Sequence, residues 1–105
     1  MVRNALDGRR MSTIVVGEFE WDSVKELANI RKHGVTFTEA SRAFLDPLGQ
    51  DFPDETHTDR WILLGMTMPE RLLYVVYADR LPSGRIRIIS ARKATAHEKE
   101  AYERG

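Results

Sequence analysis

Arg71-Leu72-Leu73-Tyr74-Val75-Val76-Tyr77-Ala78 is the stretch that decides the fold. Its run of apolar, β-branched and aromatic residues predicts a strand. Pro82-Ser83-Gly84 then turns the chain into a second strand, Arg85–Ala91. On the other side, Met68-Pro69-Glu70 is a turn leading back to a third, Arg60–Thr67. Links this short favour antiparallel pairing. Leu48–Phe52 is a weaker strand, and Phe19-Glu20-Trp21 a short one near the start.

Helices flank these strands. Ser23-Val24-Lys25-Glu26 reads as a capping box, with Val24, Leu27, Ala28 and Ile30 as the apolar side and Gly34 as the stop. Thr36-Phe37-Thr38-Glu39 opens a second helix that buries Phe37, Ala40 and Phe44. It ends near Asp46, because Pro47 disfavours helical geometry in the residue before it. Thr95-Ala96-His97-Glu98 opens a third, running through Tyr102. The order predicts an α+β domain: a small antiparallel sheet of four to five strands, two N-terminal helices and one C-terminal helix.

The chain has 105 residues, enough for one domain, and 42% hydrophobic residues, enough for a core. It contains no cysteine, which excludes a disulfide framework, a thiol nucleophile and a Cys-based zinc site. That composition fits a reducing cytoplasm, the expected location. No apolar run approaches the length of a transmembrane span. Residues 1–17 are polar and mixed, without a secretory apolar core, and read as a flexible arm or a mis-assigned start, with Met11 as the alternative first residue. Residues 18–105 form the single expected domain.

The formal net charge is zero, but the charges are segregated. Glu39, Asp46, Asp51, Asp54, Glu55 and Asp59 face only Arg42 in residues 35–59. Residues 60–93 reverse the balance, with Arg60, Arg71, Arg80, Arg85, Arg87, Arg92 and Lys93 against Glu70 and Asp79. Concentrated cations in a neutral chain point to an anionic substrate, phosphate first. Strand alternation over Arg85–Arg92 sends Ile86, Ile88, Ser90 and Arg92 to one side and Arg85, Arg87, Ile89 and Ala91 to the other. Ile86 and Ile88 would face the helices, and Arg92, at the strand end, reaches out. An arginine fork holds two phosphate oxygens at once. Lys32 and His33 close the first helix; a histidine accepts and returns protons near neutrality, and a lysine stabilises developing negative charge. Cations in a last helical turn are also favoured by the helix dipole alone.

Other candidates are weaker. His57 lies in Asp54-Glu55-Thr56-His57-Thr58-Asp59, whose spacing supports no metal site, so a solvated loop is expected and no metal or cofactor is assigned. His97 is expected to be exposed. Trp61 and Tyr74 sit in apolar strands and read as core rather than as platforms for bases. No phosphate-binding glycine loop, nucleophile elbow or paired-carboxylate motif is present.

Several of these segments together resemble one family. Phe19-Glu20-Trp21-Asp22, Lys25, Asn29, Lys32-His33-Gly34-Val35, Phe37-Thr38-Glu39-Ala40 and Asp46-Pro47 resemble the first half of the BrnT toxin family. Arg85-Ile86-Arg87-Ile88-Ile89-Ser90-Ala91-Arg92-Lys93-Ala94, with Glu98 and Tyr102, resembles its second half. The resemblance implies a RelE-like toxin of a type II toxin–antitoxin system that cuts RNA without a metal. It also implies a DNA-binding, BrnA-like antitoxin that neutralises the toxin and carries the complex to operator DNA. Carried over by position, Lys32, His33 and Arg92 are the catalytic candidates, with Arg87, Lys93, Glu98 and Tyr102 on the RNA. The rival readings are a catalytically inactive module that binds the antitoxin and assists repression, and a simple RNA-binding domain.

Overall fold

The computed structural model describes residues 12–69, 71–80 and 82–105. Six strands and three helices run in the order β1 (Thr13–Val16), β2 (Phe19–Asp22), α1 (Ser23–His33), α2 (Phe37–Arg42), β3 (Gln50–Pro53), β4 (Trp61–Met68), β5 (Arg71–Asp79), β6 (Ile86–Lys93) and α3 (Ala96–Arg104). A 3₁₀ turn, Ala43–Leu45, extends α2 up to Asp46. The class is α+β, as expected, but the sheet is larger than four to five strands and is mixed. Its order is β1-β2-β6-β5-β4-β3, and β2 runs parallel to β6 while every other pair is antiparallel. The two early helices follow a hairpin rather than opening the domain. Thr13–Val16, inside the stretch read as an arm, pairs with β2 across a two-residue turn at Gly17, whose φ of 58° suits glycine. Residues 1–11 lie outside the described residues.

Helices α1 and α2 cover one face of the sheet. Trp21, Val35, Phe37, Ala40 and Ala43 meet Leu63, Leu73, Val75, Tyr77, Ile88 and Ala91 in one buried cluster. Trp21 meets Phe37 edge-on, with centroids 6.1 Å apart, and Phe44 meets Tyr77 at 5.0 Å. Gly65 admits the 3₁₀ turn: a Cβ built there would lie 2.5 Å from the Ala43 carbonyl oxygen.

The helix caps differ from expectation in an informative way. Asp22, not Ser23, caps α1, accepting from the Val24 and Lys25 amides. Glu26 is thereby released to take the Trp21 indole N–H and the Phe37 amide. Leu27 and Ile30, read as the buried side of α1, are exposed; the buried residue of this helix is Asn29. Gly34 ends α1 in the left-handed region at φ 69°, as its position implied. Thr36 caps α2 as expected, but Glu39 turns away to Arg71 and Thr67 instead of back to the cap. Thr95 and Glu98 form the full reciprocal box of α3.

One irregularity sets the aim of the cationic strand. Val76 pairs with Ser90 and Tyr77 with Ile88, so Ile89 is an extra, unpaired residue. Such a bulge re-phases the alternation. Ile86, Ile88 and Ala91 all face the helices, while Arg87 and Arg92 share the opposite, outer face. The unbroken alternation read from the sequence had placed Arg92 with Ile86 and Ile88; the bulge reverses that.

Candidate active site

Asn29 builds the site's frame. Parallel pairing of β2 with β6 stops at Arg87, which leaves the later backbone of β6 without a neighbouring strand on that side. Asn29 takes the strand's place: its carboxamide donates to the Ala91 carbonyl at 2.8 Å and accepts from the Ala91 amide at 3.1 Å. The same side chain donates to the Val35 carbonyl at 2.9 Å. A buried amide with all three bonds made is fixed in place. Asn29 thereby bonds α1 to the backbone of the residue before Arg92.

Arg92 is held on the outer face by two partners. Its guanidinium meets the Glu98 carboxylate in a two-bond fork, both contacts 2.9 Å, and stacks 3.8 Å above the Tyr74 ring centroid. Glu98 is itself placed by the α3 cap, where it accepts from the Thr95 amide at 2.8 Å. The ion pair holds the Glu98 carboxyl below the usual carboxylate range, and the Arg92 guanidinium is held more firmly charged by the same bond. Tyr74, read as core from the sequence, is half-buried and serves as the platform under the arginine. Its hydroxyl is pushed up, chiefly by burial. Sequence alternation gave no sign of this stack, because it needs the bulge to bring Arg92 opposite Tyr74.

Lys32 is exposed and His33 half-buried. Among the described residues neither makes a side-chain hydrogen bond to Arg92, Glu98 or Tyr74. Lys93 pairs with Leu73 and returns to the helix side. Arg71 lies on that side too, bound to the Glu39 carboxylate and within 3.4 Å of the Gly34 carbonyl that ends α1. Glu39 is held below its ordinary range by that arginine. Arg87 is paired with Glu20 at 2.8 Å, farther along the outer face. Tyr102 is not beside Arg92. Its hydroxyl donates to Asp46 at 2.6 Å, and its carbonyl accepts from Gln50. The bond to Asp46, with burial, pushes the Tyr102 hydroxyl up to about 12. Burial pushes Asp46 up, but its bonds from Tyr102, Met66 and Leu48 leave it below its ordinary value. Tyr102 thus ties down the far end of α3, while Glu98 ties down the near end.

His57 sits on an exposed loop against Asp54 and Thr56, as expected of a solvated segment. His97 is exposed. Trp61, expected in the core, is 39% exposed on the outermost-but-one strand. Among the described residues no cluster of three or more histidine or acidic side chains has the arrangement to hold a metal ion. No helix among them is long and apolar enough to cross a membrane.

The comparisons with known proteins agree on one relationship. The family model for the BrnT ribonuclease toxin of type II toxin–antitoxin systems matches residues 21–98. The crystal structure of the Brucella abortus ribonuclease toxin BrnT superposes with a TM-score of 0.58 at 26% sequence identity, covering 71% of this chain and 92% of that one. No curated protein matches the chain significantly. The matched segment runs from Trp21 through Glu98 and so includes Asn29, Lys32, His33, Tyr74 and Arg92. This chain belongs to the BrnT family, the ribonuclease toxins of type II toxin–antitoxin systems.

Proposed function

We propose that this chain is a RelE-like, metal-independent endoribonuclease, active in the cytoplasm, that uses the ribose 2′-hydroxyl of its substrate as the nucleophile. The observation that carries the reading is the Arg92 guanidinium, stacked on Tyr74 and forked onto a carboxylate in the geometry a phosphate would use, at the end of β6. His33 takes the 2′-OH proton, the oxygen attacks the adjacent phosphorus, and the P–O5′ bond breaks. The leaving 5′-oxygen gains a proton, so the products are a 2′,3′-cyclic phosphate and a 5′-hydroxyl end. Arg92 and Lys32 neutralise charge on the phosphorane-like transition state. Glu98 and Tyr74 hold the Arg92 fork ready, and a phosphate oxygen pair replaces Glu98 when RNA binds. Lys93 and Arg87 position the RNA backbone. Tyr102 acts on α3 through Asp46, one turn from Glu98. The single domain responsible takes in β1 together with residues 18–105.

The partner in this reading is a DNA-binding, BrnA-like antitoxin that neutralises the toxin and brings the complex to operator DNA. The test uses purified protein, RNA oligonucleotides and a chelator. Cleavage that persists in chelator, leaves cyclic-phosphate ends and stops when one 2′-OH is replaced by hydrogen supports the mechanism. His33→Ala and Arg92→Ala should each lower the rate by about 10²–10³-fold. Full activity in both variants, or cutting of the deoxy substrate, overturns it.

A further inference from the structure

One buried side-chain polar atom among the described residues has no hydrogen-bond partner: Nε of Arg60. Asp59, the adjacent acid, is 4.0 Å away, beyond hydrogen-bond reach. An orphaned buried donor is costly and is rare in native proteins, so it calls for a cause. Arg60 lines a cleft of about 280 Å³, together with Lys25, Asp59, Ala78, Asp79 and Arg80. Arg87 closes it on the β6 side.

The cleft lies at the end of β5 and β6 and is lined from both sides of the sheet: Ala78 and Arg87 from the outer face, and Asp79, which pairs with Ile86, with Lys25 of α1 from the other. Ala78 pairs with Arg87, and Tyr74 pairs with Arg92, along the same two strands. Four residues of strand separate the two pairs, about 13 Å. Because of the Ile89 bulge, both arginines lie on one side of the sheet. A single-stranded chain clamped at Arg92 and running along β5 therefore passes this cleft a short distance from the cut.

The lining chooses the ligand. A bare phosphate in this cleft would gain from Arg60, Arg80 and Lys25 but lose to Asp59 and Asp79. A neutral nucleobase uses both signs. Guanine offers acceptors at O6 and N7 and a donor at N2. An arginine and an aspartate lining one cleft complement those groups, whereas adenine and cytosine each place an amino donor where guanine presents O6, and uracil has the O4 acceptor without N7 or an amino donor. We infer that the Arg60 cleft reads a guanine base at a fixed position near the scissile bond, with Arg60 donating to its acceptor edge and Asp79 accepting from its amino edge. The inference rests on the outer face being the RNA path, as in the proposed function.

Two measurements separate that reading from this one. Cleavage of a random-sequence RNA pool by the wild-type protein, mapped by sequencing the ends, should show guanine enriched at one offset from the cut. Arg60→Gln and, independently, the exposed Asp79→Asn should each lower that enrichment by about tenfold or more. Cutting without guanine preference, or variants that keep it, overturns the cleft assignment and leaves the nuclease reading standing. Binding of the four nucleoside monophosphates to the wild-type protein, followed by NMR shifts, needs no catalysis. If RNA is not cut, the nuclease reading falls, and the cleft stands only on selective GMP binding that Arg60→Gln abolishes. Equal response to all four nucleotides, or none, ends it.

Discussion

Arg92 shows how much of a side chain's role is assigned by its neighbours. On a bare strand it would be one more solvated cation. Here Tyr74 supports the guanidinium plane, and Glu98 fills the fork with the geometry a phosphate would use. A lysine keeps the charge but loses both the fork and the flat stack. Arg92→Lys should therefore lower kcat/KM for RNA by about 10²-fold, close to the effect of alanine. Steady-state cleavage of one RNA by the three proteins checks this; a lysine variant within a few-fold of wild type would reduce Arg92 to a point charge. The arginine itself stands out in the sequence, as the last arginine before a capped helix. Its aim does not, because an extra residue three positions earlier reverses it and nothing in Ile88-Ile89-Ser90 announces a bulge.

At the scale of elements, the joints matter more than the elements. Asn29 replaces a missing strand for Ala91 and also holds the Val35 carbonyl. Asn29→Ala would strand a buried amide and two buried carbonyls, so a loss of about 2–4 kcal/mol is expected. Urea unfolding measures it, and a loss below about 1 kcal/mol would mean that water takes over these groups. The Gly65 joint makes the opposite demand. Any Cβ there meets the backbone of Ala43, which has no flexible end to yield, and Gly65→Ala should cost about 1–3 kcal/mol. Helix and strand placement was readable because it rests on local patterns: capping residues, Gly34, and the apolar runs of β4 and β5. The joints were not readable, because each pairs residues remote in sequence. Asn29 among apolar neighbours looks like a polar interruption until Ala91 is beside it. The same blindness inverted α1, whose apolar Leu27 and Ile30 face solvent while its polar residue is buried.

For the whole molecule, three carboxylates act as polar ties between elements. Glu39 joins α2 to β4 and β5 through Thr67 and Arg71, Glu98 joins α3 to β6, and Asp46 joins the turn after α2 to β4 and to the end of α3. None of the residues of α3 is buried, so its position depends on these polar ends. All three carboxyls are held below their ordinary values. A depressed pKa means that the folded state binds fewer protons than the unfolded state, so stability is complete above the unfolded value and declines as pH falls through the folded one. The ordinary values are 4.5 for the two glutamates and 3.8 for the aspartate, which places the start of the loss near pH 4.5 and its completion below the depressed values. The urea midpoint should thus be flat from pH 7 to about pH 5 and fall steadily below that. Amide exchange should show α3 loosening before the β5–β6 core, because two of the three ties end on it. Glu39→Gln with Glu98→Gln should start from a lower midpoint and show a shallower acid slope, since two of the titrating groups are gone. A double variant that matches the wild-type slope would place the acid sensitivity elsewhere, and the polar ties would then be ornaments on a fold held by its apolar cluster alone.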